Sequence, residues 1–278
     1  MPGPSPLNLE TESSALQARD LLVAAAREAG ALALGFFRPG ERTSADVQSK
    51  TGGSPVTEAD LAADALLKDR LGRAFPEAGW LSEETMDTDA RLGRRELIVV
   101  DPIDGTRAFV SGDPRWAVSA ALIRDGRPVA GVVHAPALAE TWAAARGAGA
   151  TLNGSPLAAT ARFAPGRLTA AGPKPLLGAM ASALGAEVEV VPKVPSLAYR
   201  LCLAASGRLD FAVAAADSHD WDIAAADLIL EEAGALLVGA SGERLAYNRA
   251  HVRRNALLAR PEGLAPRLLD AFRAAIGG

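Results

Sequence analysis

The chain has 278 residues, 49% of them hydrophobic, which is ample for a buried core and excludes wholesale disorder. Its 29 Lys and Arg against 33 Asp and Glu leave a net charge of −4, which argues against a nucleic-acid polymer as its partner. Its one cysteine, Cys202, rules out an intrachain disulfide and thiolate zinc sites and suits the cytoplasm; it reads as a core residue. Residues 1–12 read as a disordered leader without signal-peptide order, and no run reaches the roughly 18 uncharged residues of a membrane span. The chain is therefore expected to be soluble, intracellular and off the membrane.

The rest is taken in chain order. Apolar residues at helical spacing predict a long helix from Ser14 to about Arg38, closed by Pro39-Gly40. Residues 41–56 read as a loop. Thr57 and Asp60 form a capping-box pattern that opens a helix to about Phe75. Gly79–Glu84 reads as a strand ending in acids, and Leu97–Val100 as an apolar strand that runs into Asp101-Pro-Ile-Asp-Gly-Thr106. Ala117–Arg124 and Pro128–His134 flank Asp125-Gly126, a strong hairpin signal. Glu140–Arg146 is a further strand, and Asn153-Gly154 a turn. Beyond residue 165 strands (168–170, 187–191, 211–214) alternate with helices (175–184, 197–206, 222–233), a layered α/β pattern. Gly234 is placed to stop the last of these helices. The expected division is residues 13–155 and 156–278.

The acids stand out by position. Asp101 and Asp104 are expected just past a rigid strand, where ligand groups commonly sit. Pro102 stiffens that turn, Gly105 lets backbone approach a ligand, and the amides of Gly105 and Thr106 suit an anion if a short helix starts there. Two exposed aspartates three apart repel unless a cation lies between them. Glu83, Glu84, Asp60, Asp217, Asp220 and Asp222 also cluster at element ends. With three histidines and one cysteine, an all-oxygen site for Mg²⁺ or Mn²⁺ is the metal chemistry on offer. Blander roles fit the same residues: Asp60 suits a helix dipole, Asp222 a helix cap, and Glu83-Glu84 a solvated turn.

Asp101-Pro-Ile-Asp-Gly-Thr106 resembles the DPIDGT signature of the inositol monophosphatase superfamily. Thr57-Glu-Ala-Asp60, Ser82-Glu-Glu-Thr85 and Trp221-Asp-Ile-Ala-Ala resemble its other motifs, in the same order. The resemblance implies an α/β (α+β) fold, a layered αβαβα sandwich, often as a homodimer. It implies a Mg²⁺-dependent, usually lithium-sensitive phosphatase acting on a small phosphorylated metabolite. Glu83, Asp101, the carbonyl of Ile103, Asp104 and Asp222 would hold two or three Mg²⁺. Asp60 and Thr106 would position the attacking water, with Glu83 beside them and Lys50 near the water.

The substrate is expected to be 3′-phosphoadenosine 5′-phosphate, because Ser196-Leu-Ala-Tyr-Arg and Asp220-Trp-Asp resemble the bacterial 3′(2′),5′-bisphosphate nucleotidase branch. Inositol 1-phosphate and histidinol phosphate are the alternatives. An acid that contacts sugar hydroxyls in inositol-specific members is replaced here by Ala215. Gly105, Thr106, Lys174, His219 and Asp222 are the expected substrate contacts, with Tyr199 and Arg200 as candidates for a nucleotide. Trp221 is expected to pack behind Asp222, and His134 and His251 to be structural or surface residues. A dehydrogenase is disfavoured, because Gly147-Ala-Gly149 lacks the third glycine of the dinucleotide fingerprint. A P-loop is absent. A fold-retaining relative without activity is the non-catalytic alternative.

Overall fold

The computed structural model describes residues 11–50, 53–159, 167–262 and 265–277. Most of the leader expected over 1–12 lies outside them, but Thr11 and Glu12 belong to the first helix, α1 (Glu12–Leu34). Thr11 and Ser14 cap it reciprocally: each backbone N–H donates to the other's hydroxyl at 3.2 Å. The helix stops four residues before the expected end. The chain turns at Gly35 so that Phe37 can pack against Phe109 and Trp116, with ring centroids 5.8 and 5.7 Å away.

The expected loop at 41–56 contains a small antiparallel ribbon, β1 (Val47–Ser49) and β2 (Pro55–Thr57), which leads into α2 (Glu58–Ala74). A seven-stranded sheet follows: β3 (Gly79–Ser82), β4 (Glu96–Asp104), β5 (Ala117–Arg124), β6 (Arg127–Ala135), β7 (Glu140–Ala145), β8 (Ala150–Leu152) and β9 (Ser155–Leu157), in that spatial order. Only β3 and β4 run parallel. Short helix α3 (Thr106–Ser111) sits between β4 and β5. Asp125-Gly126 and Asn153-Gly154 both take positive φ, as two-residue hairpin turns between right-twisted strands require.

The second half builds a five-stranded sheet, ordered β11-β10-β12-β16-β14, from β10 (Arg167–Ala171), β11 (Glu187–Val190), β12 (Phe211–Ala214), β14 (Ala235–Val238) and β16 (Leu257–Pro261). A two-stranded ribbon, β13 (Ser218–His219) with β15 (Arg253–Arg254), lies beside it. The helices are α4 (Lys174–Leu184), α5 (Leu197–Ala205), α6 (Asp220–Glu232) and α7 (Ala265–Gly277). The strands and helix after Gly234 were not anticipated, although Leu268, Ala271 and Phe272 give α7 a helical core stripe.

Strand alternation sorts the core into layers. On β4, Ile98 and Val100 face α1 and α2, whereas Leu97 and Val99 face α5 and α6. On β12, Ala212 and Ala214 join that central layer, while Phe211 and Val213 pack with α4 and α7. The result is an αβαβα sandwich: α1/α2, seven-stranded sheet, α5/α6, five-stranded sheet, α4/α7. Cys202 is buried in the central layer, as expected of a core residue. No helix among the described residues is long and apolar enough to cross a membrane.

Candidate active site

Strand β4 does not end at Val100. It continues through Asp104, with three steps from Asp101 to Asp104 set against two on β5, from Ser119 to Ala117. This is a β-bulge. Pro102 has no N–H to give the ladder, so the pairing breaks there and the two carboxylates are re-aimed. The Asp101 carboxylate accepts the Ile103 N–H at 3.0 Å. The acids thus lie within a distorted strand end, not beyond it.

Gly105 then turns the chain into α3 at φ 92°. A Cβ there would lie 3.2 Å from the Ser196 backbone nitrogen in a conformation L-residues rarely adopt. That close approach matters, because Ser196 holds Asp104. The Ser196 hydroxyl and the Ala198 N–H, at the start of α5, both donate to Asp104 Oδ2 at 2.6 Å.

Two more acids come from helix starts. Asp60 is the third residue of α2: the Thr57 N–H donates to its Oδ2 at 2.8 Å, and its own N–H donates to the Thr57 hydroxyl. Asp222 is the third residue of α6, and the His219 N–H donates to its Oδ2 at 2.7 Å. Each cap uses one oxygen of its carboxylate and leaves the other outside the cap, where that of Asp60 accepts from the Thr106 hydroxyl. Capping and site roles therefore coexist in one side chain.

Oxygens of Glu83, Asp101 and Asp222 lie within 4.8 Å of one another. With Asp104, Gly105 and Thr106 they line a cleft of about 220 Å³. The Thr106 hydroxyl is within reach of Asp60 Oδ1 (3.3 Å) and of the Ile103 carbonyl (3.1 Å). Lys50 lies beside the acids: its ammonium is 2.8 Å from Glu83 and 2.7 Å from Glu84.

The electrostatics are those of a site short of positive charge. Burial pushes the Asp101 and Asp222 carboxyls well above the usual range, and neighbouring acids push them further. Burial also lifts Asp104 to about 6, against the donors from Ser196 and α5. Asp60 rises to about 6 for the same reason, against its bonds to Thr57. Glu84 rises to about 7 despite Lys50. Burial would lower the Lys50 ammonium, but its two carboxylate partners outweigh that and hold it above its ordinary value. Neither Asp101 nor Asp222 has a Lys or Arg ion pair among the described residues. An all-oxygen, buried and charge-unbalanced donor set of this kind fits a hard divalent cation.

Other expectations fare differently. Lys174 is exposed at the start of α4 and does not line the cleft; Lys193 and Arg107 do. Lys193 was one of only four lysines to weigh, but it lies in an irregular stretch with no spacing signal. His219 is half-buried and stacks flat on Trp221, with centroids 4.6 Å apart; it lies outside the cleft lining, with Nδ1 3.9 Å from Asp222. Tyr199 is buried, donates to Glu140 at 2.9 Å and packs edge-on against Trp142. Arg200 reaches the Val194 carbonyl. Both are helix-face residues, and neither lines the cleft. Ala215 is exposed outside it. His134 bonds Thr141 at 3.0 Å, and His251 is exposed.

Comparison with known proteins agrees with this geometry. The model of the inositol monophosphatase family matches residues 16–276. A histidinol-phosphatase of Chlorobaculum parvum is 43% identical over 136 residues, a match covering 49% of this chain and 51% of that one. In that alignment the chain spans about half the relative's length. Inositol monophosphatase 2 of Solanum lycopersicum is 33% identical over 84% of this chain and 94% of its own. The 3′(2′),5′-bisphosphate nucleotidase CysQ of Aggregatibacter actinomycetemcomitans is 30% identical over 74% and 80%. The solved Thermotoga maritima IMPase superposes with a TM-score of 0.80 at 26% identity, covering 94% of this chain and 98% of that one.

Proposed function

Because the chain belongs to the inositol monophosphatase family, we propose that it is a divalent-metal-dependent phosphatase that hydrolyses the monoester of a small phosphorylated metabolite. The observation that carries this reading is the convergence of Glu83, Asp101 and Asp222 oxygens within 4.8 Å on a cleft with too little positive charge. These three residues, with Asp104 and the Ile103 carbonyl, are assigned to hold two or three Mg²⁺. Bound there, Mg²⁺ supplies Lewis-acid charge that acidifies a water and offsets the charge on phosphate and leaving oxygen.

The chain's own groups do the rest. Thr57 fixes Asp60 through Oδ2, so Oδ1 remains as acceptor for the attacking water's proton. The Thr106 hydroxyl, 3.3 Å from that oxygen, orients the same water. A carboxyl near 6 is largely ionised at neutral pH yet basic enough to take a proton. The amides of Gly105 and Thr106 face the phosphate oxygens. Lys50 offsets part of the charge of Glu83 and Glu84, which lessens the repulsion of an anionic substrate. No covalent nucleophile is required. A cytoplasmic location, a homodimer and lithium sensitivity belong to the same reading.

The first substrate is 3′-phosphoadenosine 5′-phosphate. Arg107 and Lys193 place two cations on the cleft, which suits a second phosphate. Histidinol phosphate is the second reading, favoured by the 43% identity to a protein of that name. The two differ in charge: the ammonium of histidinol phosphate would be repelled by Lys193. Phosphate release from both, and from inositol 1-phosphate, with Mg²⁺ present is the test. Preference for the nucleotide supports the first reading, and preference for histidinol phosphate the second. Silence on all three with a wide range of further phosphomonoesters overturns the proposal.

A further inference from the structure

We propose that Asp64 is the positioning residue for the acidic turn Glu83-Glu84, setting where the Glu83 carboxylate stands; this rests on the phosphatase reading above. Asp64 lies one helical turn after Asp60 on α2, on the same face, and is buried at 8% exposure. Its two carboxylate oxygens serve two different hydroxyls. Ser82 donates to Oδ1 at 2.5 Å, and Thr85 donates to Oδ2 at 2.8 Å. Ser82 and Thr85 are the residues on either side of Glu83-Glu84. The Ser82 oxygen in turn accepts the Glu84 N–H at 3.2 Å. One buried carboxylate therefore grips both ends of the acidic pair.

The backbone offers this turn little else. Strand β3 is the edge of its sheet, and its last ladder pair is Ser82 with Val100. Past it, the Glu83 N–H reaches the Val100 carbonyl only at 3.4 Å. Met86, two residues beyond Glu84, is 89% exposed. Lys50 pulls on Glu83 and Glu84 together, so it fixes neither against the other. Asp64 fixes the turn against α2, the helix that also presents Asp60. The distance between the water-positioning acid and Glu83 is thus set by one rigid element. Charge-assisted hydrogen bonds to a buried carboxylate are the strong kind for this task.

The test uses the full chain with Mn²⁺ as probe, counted by electron paramagnetic resonance, and hydrogen–deuterium exchange at the Glu84 and Thr85 amides. Asp64→Ala is expected to weaken Mn²⁺ binding about 10- to 100-fold, the range typical of groups that orient metal ligands, and to speed exchange at both amides. Ser82→Ala with Thr85→Val, which leaves Asp64 in place, should reproduce most of that loss. Adding Asp64→Ala to that pair should then change Mn²⁺ affinity by less than about twofold. If Asp64→Ala does not fold, the Ser82/Thr85 variant decides alone. The proposal is overturned if Mn²⁺ affinity and exchange both stay at wild-type values, or if the double variant binds Mn²⁺ normally while Asp64→Ala does not. Should the wild-type protein hold no Mn²⁺, the phosphatase reading falls, and the exchange rates still decide whether Asp64 holds the turn.

Discussion

The first turn of helix α6 carries two aspartates, two residues apart, with opposite surroundings. Asp220 is fully buried, and the Arg254 guanidinium donates to it at 2.6 Å. The same guanidinium lies over the Tyr247 ring at 5.0 Å, and the Tyr247 hydroxyl donates to Asp227 at 2.8 Å. Asp222 turns to the other side and meets Glu83 and Asp101. In the first region each acid has a donor partner within the protein. In the second Asp101 and Asp222 accept backbone N–H groups from Ile103 and His219, have no Lys or Arg ion pair among the described residues, and converge with Glu83. A buried acid with an internal partner serves the fold, and converging acids without cations serve a ligand that brings the charge.

The largest effect that would sharpen this contrast is at the cleft. Asp101→Asn keeps shape and removes charge. Phosphate release is expected to fall by about 10³-fold or more, while the melting temperature of the metal-free protein holds or rises. Near-normal turnover would break the comparison. The converse change is Arg254→Met, which strands Asp220 in the core. Urea unfolding should show a loss of about 3–5 kcal/mol, and Asp220→Asn added to it should recover part. A loss below about 1 kcal/mol would mean that the pair does not hold α6.

The two regions should also answer differently to pH. Asp60 and Asp104 stand near 6 in the fold, and Asp101 and Asp222 are raised, against an ordinary aspartate value of 3.8. Between about pH 4 and somewhat above 6 the folded state therefore binds more protons than the unfolded one, and metal-free stability falls as pH rises. Saturating Mg²⁺ should abolish the share of that slope that comes from the cleft acids, because it replaces their protons. Asp227, also near 6 through burial, lies outside the cleft, so its share of the slope should survive Mg²⁺. Asp227→Asn should remove that share, at most about 3 kcal/mol, as read from melting curves across the window. The smallest expected effect is Lys193→Ala, a rim charge whose loss should raise KM for a bisphosphate a fewfold, about 1 kcal/mol or less, with kcat held.

Much of this was legible in the chain. Thr57-Glu-Ala-Asp60 specified its cap, Asp125-Gly126 its hairpin, and the four motifs the acids that meet at the cleft. What was not legible depends on contacts remote in sequence. The β4 bulge depends on β5 as well as on Pro102, so the strand end was placed four residues early. Asp104 is held by Ser196 and Ala198, about ninety residues on, and Asp64 by Ser82 and Thr85, and neither pairing leaves a periodic trace. Lys174 and Lys193 look alike as sequence, and only the path of the chain between α4 and α5 brings the second to the cleft. Strand β16 is short, and its pairing with β12 and β14 is wholly long-range.

The most direct test of the account is phosphate release from the active substrate by the wild-type protein before chelation of divalent ions, after it, and after Mg²⁺ is restored. The account predicts activity that falls to background with chelator and returns in full with Mg²⁺. Undiminished turnover in excess chelator would contradict it, because the acids at the cleft would then have no cation to hold.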